Sequence, residues 1–214
     1  MPPSGLPPHV PIDKIVYRAT SYDVPVRVAV NRRAGRWNFS HGGPVQYTCL
    51  DTEAPFAEML RHENLRTEGD AAMYRTTLWQ LRVNEGIVVD YSTFEKAELA
   101  GFSPHALVDD DHEACQREAL RLFSLGAGGV LSPSAALPGS INLALFGQRV
   151  PIRWDSRVHI SAAIPAQALA TGQPPEGLVP RVRHYGEAHP DLARYLGDKE
   201  SRDRSRSSDR SEEG

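Results

Sequence analysis

Apolar and polar positions alternate along many short stretches of this chain, a pattern that is typical of half-buried β-strands. The predicted strands cover residues 15–18, 24–30, 45–49, 76–83, 87–90, 130–131, 142–146 and 158–160. Pro25 places the second of these at the edge of a sheet, because proline cannot donate a hydrogen bond to a neighbouring strand. Residues 84–86 have turn composition, so the strands on either side of them are predicted to pair as a hairpin.

Two segments follow the helical period instead. The first begins after Asp51 or Thr52, either of which can cap it, and it tolerates Pro55 in its first turn. We expect it to end near His62, so that strand gives way to helix just before Glu58.

The second predicted helix covers residues 113–125 and turns Ala119, Leu122 and Phe123 inward. Gly126 is expected to end it with a positive φ, which glycine adopts without strain. Many short strands with few helices, separated by loops rich in Pro, Gly and Ser, predict an α+β fold.

The two ends of the chain have compositions typical of unstructured segments. Residues 1–12 are rich in proline, and residues 198–214 consist almost wholly of Ser, Arg, Asp and Glu. We predict a single domain at residues 13–197, flanked by a disordered N-terminus and a disordered charged tail. A chain of 214 residues is long enough to bury a core without disulfides.

Charge and cysteine content argue against several classes of function. With 24 Lys+Arg, 27 Asp+Glu and a net charge of -3, the chain lacks the basic excess expected of a nucleic-acid-binding protein. No apolar run approaches the ~18 residues of a membrane span. Cys49 and Cys115 lack the spacing of metal ligands, and the N-terminus lacks the pattern of a signal peptide. We expect a cytoplasmic protein with reduced thiols, no metal and no membrane partner.

A set of charged and aromatic residues in the first third of the chain suggests chemistry. Arg18 ends a predicted strand and Arg36 lies in a loop, while Tyr47 and Glu58 lie on the next strand and helix. Arginine suits the pyrophosphate of a dinucleotide, because bidentate pairing adds geometry to charge. A carboxylate near a ribose can stabilise the positive charge that develops when its glycosidic bond breaks. Taken singly, each of these residues also fits a structural role.

Several segments of the chain carry a family resemblance when they are taken together and in order. They are Tyr17-Arg18, Gly35-Arg36-Trp37-Asn38, Val45-Gln46-Tyr47-Thr48, Ala57-Glu58, Gly129-Val130-Leu131-Ser132-Pro133-Ser134 and Asn142-Leu143-Ala144-Leu145-Phe146. In this order they resemble the RES domain family, which is named for an arginine, a glutamate and a serine. The family's three residues fall on Arg18, Glu58 and Ser134, and the resemblance implies Arg36 and Tyr47 as further cleft residues.

The resemblance implies an α+β core similar to ADP-ribosyltransferases, with short, mainly antiparallel strands. It also implies a toxin of a bacterial toxin–antitoxin pair that destroys NAD by cleaving it at the nicotinamide ribose. NAD is then a substrate and not a cofactor, and a cognate antitoxin is the expected partner. On this interpretation Glu58 acts on the ribose, and Arg18 and Arg36 hold the pyrophosphate. Tyr47 stacks on the nicotinamide or ribose, and Ser134 binds a substrate oxygen or orients Glu58.

Two alternatives stay open at this level. The ADP-ribose could be transferred to a protein, whereas water or phosphate is the acceptor in simple NAD cleavage. The chain could also be a catalytically silent module that binds a nucleotide or a partner protein. The second alternative is motivated by Ala136, where many family members carry arginine, and by Ser132, where an aromatic or aliphatic residue is commoner.

Overall fold

The computed structural model describes residues 5–20, 23–27, 29, 31–156 and 162–212 of the chain. Its strands are β1 (His9–Thr20), β2 (Val45–Cys49), β3 (Thr76–Asp90), β4 (Gly129–Pro133), β5 (Ile141–Phe146), β6 (Val150–Arg153) and β7 (Ala163–Gly172). Its α-helices are α1 (Ala54–His62), α2 (Glu68–Met73), α3 (Phe94–Leu99), α4 (Glu113–Ser124) and α5 (Pro190–Glu212). Short 3₁₀ helices lie at His105–Leu107 and Val179–Arg181.

The strands form one sheet in the order β1-β2-β5-β4-β3-β7-β6, and β1 also pairs with β3. Since β3 thus pairs with both β1 and β4, the strands β1, β2, β5, β4 and β3 close into a ring. Pairing is antiparallel except between β3 and β4 and between β6 and β7. This architecture confirms the predicted α+β fold with mainly antiparallel strands.

The ring has an inner and an outer apolar face. One core cluster, which includes Val16, Leu81 and Leu143, contains strand and loop residues but no helical residue, so it fills the inside of the ring. Helices pack on the outside, where Leu60 of α1 and Leu122 of α4 are completely buried. Because successive residues of a strand point to opposite faces, each ring strand contributes alternately to the two cores.

The predicted hairpin within residues 76–90 was wrong, because these residues form the single strand β3. Asn84 and Glu85, placed in the predicted turn, pair instead with Asp13 and Ile12 of β1. Since β1 runs alongside nearly the whole of β3, the backbone groups of both halves are already bonded to it. The two halves of β3 therefore lack the unpaired backbone groups that a hairpin between them would need.

The predicted strand at residues 24–30 was also wrong for the part that the structure describes, which has no strand there. The backbone N–H and C=O groups of Arg27 bond to the side chain of Gln46, at 2.8 and 2.7 Å, and not to a strand. Val28 and Val30 lie outside the described residues, as does the predicted strand at residues 158–160.

Helix α4 confirms the second predicted helix, and Gly126 follows it with a φ of 85°. Cys115, Ala119 and Leu122 form its buried stripe. The prediction that Phe123 faces inward was wrong, since its side chain is 57% exposed. A helical step of about 100° carries Phe123 past the stripe, and its ring packs edge-on against Phe146 at the surface.

Both ends of the chain carry more regular structure than their compositions predict. β1 begins at His9, within the segment predicted to be disordered. Helix α5 continues through residues 198–212, where a charged tail was predicted. Tyr195 and Lys199 each hydrogen-bond Glu98 of α3 at 2.6 Å, which docks the first half of α5. Residues 200–205 are exposed, and a sequence without apolar residues describes a solvated helix as well as an unstructured segment.

Among the described residues, no helix combines the length and the apolar character that crossing a membrane would require.

Candidate functional site

Helix α1 brings Glu58 to the outer face of the ring. The side chain of Asp51 accepts hydrogen bonds from the backbone N–H groups of Glu53 and Ala54, at 3.0 and 2.7 Å. The N-cap residue is Glu53, which has no side-chain cap bond, so the helix begins within two residues of the predicted cap and Asp51 holds the turn that leads into it. Ala54 and Leu60 are completely buried, so α1 lies flat on the sheet. Glu58 lies beside that stripe and is half-buried, which leaves its carboxylate accessible at the edge of the helix.

A row of side chains crosses four strands beneath α1. The register pairs Tyr17 of β1 with Cys49 of β2, Cys49 with Asn142 of β5, and Asn142 with Ser132 of β4. Residues paired in this way project from the same face of a sheet. Because Tyr17 and Cys49 pack with residues of α1, the row belongs to the outer face.

Two residues of this face hold the Glu58 carboxylate. Its Oε1 accepts hydrogen bonds from Ser134 Oγ at 2.7 Å and from Asn142 Nδ2 at 2.6 Å. Ser134 Oγ in turn accepts from the backbone N–H groups of Ala136 and Leu137, at 3.2 and 3.0 Å, so its single hydrogen is committed to Glu58. Oε2 of Glu58 has no hydrogen-bond partner among the described residues. One carboxylate oxygen is therefore available to a bound molecule.

Tyr47 joins β2 to the loop that carries Arg36. Its Oη accepts a hydrogen bond from the backbone N–H of Trp37 at 2.8 Å and donates to Asn38 Oδ1 at 2.7 Å. Burial raises the pKa of Tyr47, the charge of Arg36 lowers it and the charge of Glu58 raises it. Its hydroxyl is already bonded and its ring packs partly against the core, which leaves the exposed part of the ring to contact a ligand.

Gly35 allows this loop to approach β2. A Cβ atom at residue 35 would lie 2.6 Å from Tyr47 Oη, so any other residue would displace the tyrosine. Glycine is therefore required at this position by the close approach of the loop.

Arg36 reaches from the loop across to residues 106–109. Its guanidinium donates to the carbonyl oxygens of Ala106 and Asp109, at 3.1 and 2.8 Å. These bonds use two of its five N–H donors, and the side chain is half-buried. Burial lowers the pKa of His112 to about 4, the charges of Arg36 and Arg61 contribute to the shift, and the charges of Asp110 and Asp111 oppose it.

Arg18 lies on the inner face, so the structure does not bring it together with Glu58. It follows Tyr17 in β1 and points to the opposite side of the strand. Its guanidinium donates to Oε1 of the completely buried Gln46 at 2.9 Å. Burial, with the charge of Arg27, lowers the pKa of Arg18 to about 10. In the described part of the chain, no hydrogen bond or ion pair joins Arg18 to Glu58.

The charges of Glu58 and Arg18 both affect the pKa of the buried Cys49 thiol. Burial raises its pKa, the charge of Glu58 adds to the increase, and the charge of Arg18 opposes it. Arg18 and Glu58 thus approach β2 from opposite sides without contacting each other.

Three residues around the site had no predicted role from the sequence: Asn142, Arg61 and Arg183. Arg61 follows Glu58 by one turn of α1 and is 3% exposed, and it donates to the carbonyl oxygen of Ala135 at 2.6 Å. Arg61 and Arg183 both pair with Asp110, at 2.5 and 3.2 Å. The i,i+3 spacing could have indicated Arg61, and the alternation of β5 could have indicated Asn142. Nothing in the local sequence pointed to Arg183.

Two surface cavities lie away from Glu58. One, of about 410 Å³, is lined by the N-terminal segment and Phe102, and the other, of about 500 Å³, by Arg66 and His184. Within the described ranges, no three His, Cys, Asp or Glu residues are grouped as metal ligands would be. A ligand that contacts Glu58 would therefore bind outside these two cavities.

Comparisons with known proteins identify the family and the fold. A family model described as RES domain matches residues 15–170. Among solved structures, the chain is similar to a chain of the "M.tuberculosis MbcT-MbcA toxin-antitoxin complex". The identity is 21%, the match covers 77% of this chain and 86% of that chain, and the TM-score is 0.58, which shows a shared fold. No curated protein sequence matches the chain.

Proposed function

Because the chain belongs to the RES domain family, we propose that it is a toxin that degrades NAD by cleaving the bond between nicotinamide and ribose. The observation that carries this proposal is the Glu58 carboxylate, which two hydrogen-bond donors fix through Oε1, while Oε2 has no partner within the described ranges. A carboxylate that is held in this way, at a half-buried position, is prepared to receive a group that develops positive charge.

The chemistry needs few groups from the protein. The bond between C1′ of the ribose and the pyridinium nitrogen breaks, and its electron pair passes to the nitrogen, so neutral nicotinamide leaves. The sugar that remains resembles an oxocarbenium ion. Oε2 of Glu58 accepts a hydrogen bond from the ribose 2′-hydroxyl and stabilises this cation, after which water or phosphate adds to C1′.

The neighbouring residues suit the remaining parts of NAD. Tyr47 is half-buried, so the part of its ring that does not pack against the core is available to stack on the nicotinamide or ribose. Arg36 has N–H donors for the pyrophosphate beyond the two that bond to carbonyl oxygens. Ser134 acts through Glu58, because its hydrogen is committed to the carboxylate. Direct contact between Arg18 and NAD stays a prediction, which the register of β1 does not favour.

A protein that destroys NAD would harm the cell that makes it, so we expect a cognate antitoxin and a cytoplasmic site of action. The similar M. tuberculosis structure is described as a toxin–antitoxin complex, which supports a partner of this kind. The simplest neutralising contact would place a carboxylate or chain terminus of the antitoxin beside Arg36 and cover Glu58.

The test is to incubate the purified chain with NAD and to measure free nicotinamide by chromatography, with and without phosphate. We expect release by the wild type and a loss of about 100-fold in kcat for Glu58→Gln, whose amide cannot supply the negative charge. Glu63→Gln is the matched control, because it changes an exposed glutamate directly after the same helix. Both variants should keep the wild-type unfolding temperature.

The products separate the possible acceptors. Free ADP-ribose indicates water, a phosphorylated ADP-ribose indicates phosphate, and radiolabel from the adenylate that precipitates with protein indicates transfer to a protein. If the wild type and Glu58→Gln release equally little nicotinamide, the proposed cleavage is wrong.

A further inference from the structure

We propose that Asn142 is a positioning residue that sets the orientation of the Glu58 carboxylate, an inference that rests on the proposed function of Glu58. Asn142 Nδ2 donates a hydrogen bond to Glu58 Oε1 at 2.6 Å, and a bond to an ionised acceptor is stronger than one between neutral groups. Asn142 does not itself contact substrate in this role. It acts through Glu58.

The position of Asn142 in the fold is rigid. β5 is bonded on one side to β2 and on the other to β4, so Asn142 is paired with both Cys49 and Ser132. The next residue of β5, Leu143, is completely buried inside the ring. A donor mounted on a strand that is held on both sides has little freedom to move with the carboxylate.

The second polar atom of Asn142 shows that the amide is not there for stability alone. Its Oδ1 is buried and has no hydrogen-bond partner in the described part of the chain. An unpaired buried acceptor destabilises a folded protein, and an apolar side chain at this position would avoid that penalty. The amide is therefore explained by what its Nδ2 group does for Glu58.

Asn142 and Ser134 have different effects on the carboxylate even though both donate to Oε1. Ser134 lies in a loop, where two backbone N–H groups fix its oxygen. Asn142 donates from the sheet, so the two bonds reach Oε1 from separate parts of the fold. Together they hold Oε1 from two directions, and Oε2 has no hydrogen-bond partner among the described residues.

The experiment compares Asn142→Leu and Asn142→Asp with the wild type and with the control Gln167→Leu, which removes a half-buried amide from β7. For Asn142→Leu we expect kcat to fall about tenfold or more, KM to change less than about threefold, and the unfolding temperature not to fall. A residue with a merely structural role would lower the unfolding temperature and leave kcat unchanged in the folded fraction.

Asn142→Asp keeps the shape of the side chain and carries the test if Asn142→Leu does not fold. A carboxyl group in place of the amide removes the Nδ2 donor to Glu58 Oε1, so kcat should fall about tenfold or more while KM changes less than about threefold. A kcat equal to that of the wild type overturns the proposal.

A third measurement does not depend on catalysis. The ¹³C resonance of the Glu58 carboxyl group, observed by NMR at one fixed neutral pH, should move in Asn142→Leu and stay in place in Gln167→Leu, because only the first variant removes a hydrogen bond to this group. If the wild type releases no nicotinamide, the proposed function fails, and this resonance still decides the role of Asn142. An unchanged resonance in Asn142→Leu would contradict the positioning role.

Discussion

Two polar networks lie on opposite sides of β2, and they differ in how fully their side-chain amides are hydrogen-bonded. The outer network consists of Glu58, Ser134 and Asn142, and the inner network consists of Arg18, Gln46 and the backbone of Arg27. In the inner network, Gln46 is completely buried and bonds to Arg18 and to both backbone groups of Arg27. Its amide has thus found partners for its oxygen and its nitrogen.

The outer network is left open. Glu58 Oε2 and Asn142 Oδ1 have no hydrogen-bond partners among the described residues. Glu58 is also half-buried, whereas Arg18 is only 9% exposed. The Gln46 amide is bonded at both its oxygen and its nitrogen, whereas the outer network keeps a charged acceptor without a partner in the described part of the chain, and an acceptor of that kind is prepared to bind. We therefore expect Gln46 to contribute mainly to stability and Glu58 to contribute to chemistry.

The largest expected effect is the contrast in activity between the two charged residues. Glu58→Gln should lose about 100-fold in kcat, whereas Arg18→Met should lose less than about fivefold, because the arginine faces the inside of the ring. Nicotinamide release by both variants under saturating NAD checks this. An equally large loss for Arg18→Met, in a protein with a wild-type circular dichroism spectrum, would place Arg18 at the substrate and break the comparison.

Ser134→Ala should combine a loss of activity with a loss of stability. Removing Oγ deprives Glu58 of a donor and two backbone N–H groups of their acceptor. We expect kcat to fall about tenfold and the free energy of unfolding to fall by about 1–2 kcal/mol. Assays of nicotinamide release and urea denaturation measure the two effects. Ser140→Ala, a change at the other end of the same loop, serves as the control and should alter neither quantity.

Gln46→Leu tests the inner network. It leaves the Arg18 guanidinium and two backbone groups of Arg27 without the amide that binds them. The free energy of unfolding should fall by about 1–3 kcal/mol, while kcat per folded molecule stays near the wild-type value. Urea denaturation with an activity assay at low denaturant distinguishes the two quantities. A variant as stable as the wild type would show that the inner network does not have the structural role given to it.

The smallest expected effect is a pH dependence of stability near Arg36. The pKa of His112 is lowered to about 4 in the folded protein, so the unfolded chain binds a proton first as the pH falls. The contribution of neutral His112 to the free energy of unfolding is complete above pH ~6.5 and is lost as the pH falls from there toward 4. In His112→Gln, the unfolding temperature should therefore decline less steeply over this interval. Parallel curves for the two proteins, followed by calorimetry, would contradict the assignment.

The local sequence pattern was sufficient to predict the strands and the helix that carry the outer network. Strands β2 and β5 were predicted by alternation, and the start of α1 by Asp51, because these signals lie within a few residues of the structure they describe. The single strand β3 could not be predicted in this way. A turn composition at residues 84–86 is overridden when β1, distant in sequence, bonds to both sides of it.

The sequence by itself determined the family and the α+β class, and it predicted Glu58 and Ser134 as site residues, which a hydrogen bond joins in the structure. It also determined that Tyr17 and Arg18 point in opposite directions, since parity along a strand is a local property. Only the tertiary structure decided which of the two shares a face with Glu58, and it selected Tyr17. The physical reason is that inside and outside are defined by closure of the ring, which depends on pairings between β1 and both β2 and β3. The same closure brings Asn142 and Ser134, which are far from Glu58 along the chain, to a single carboxylate oxygen.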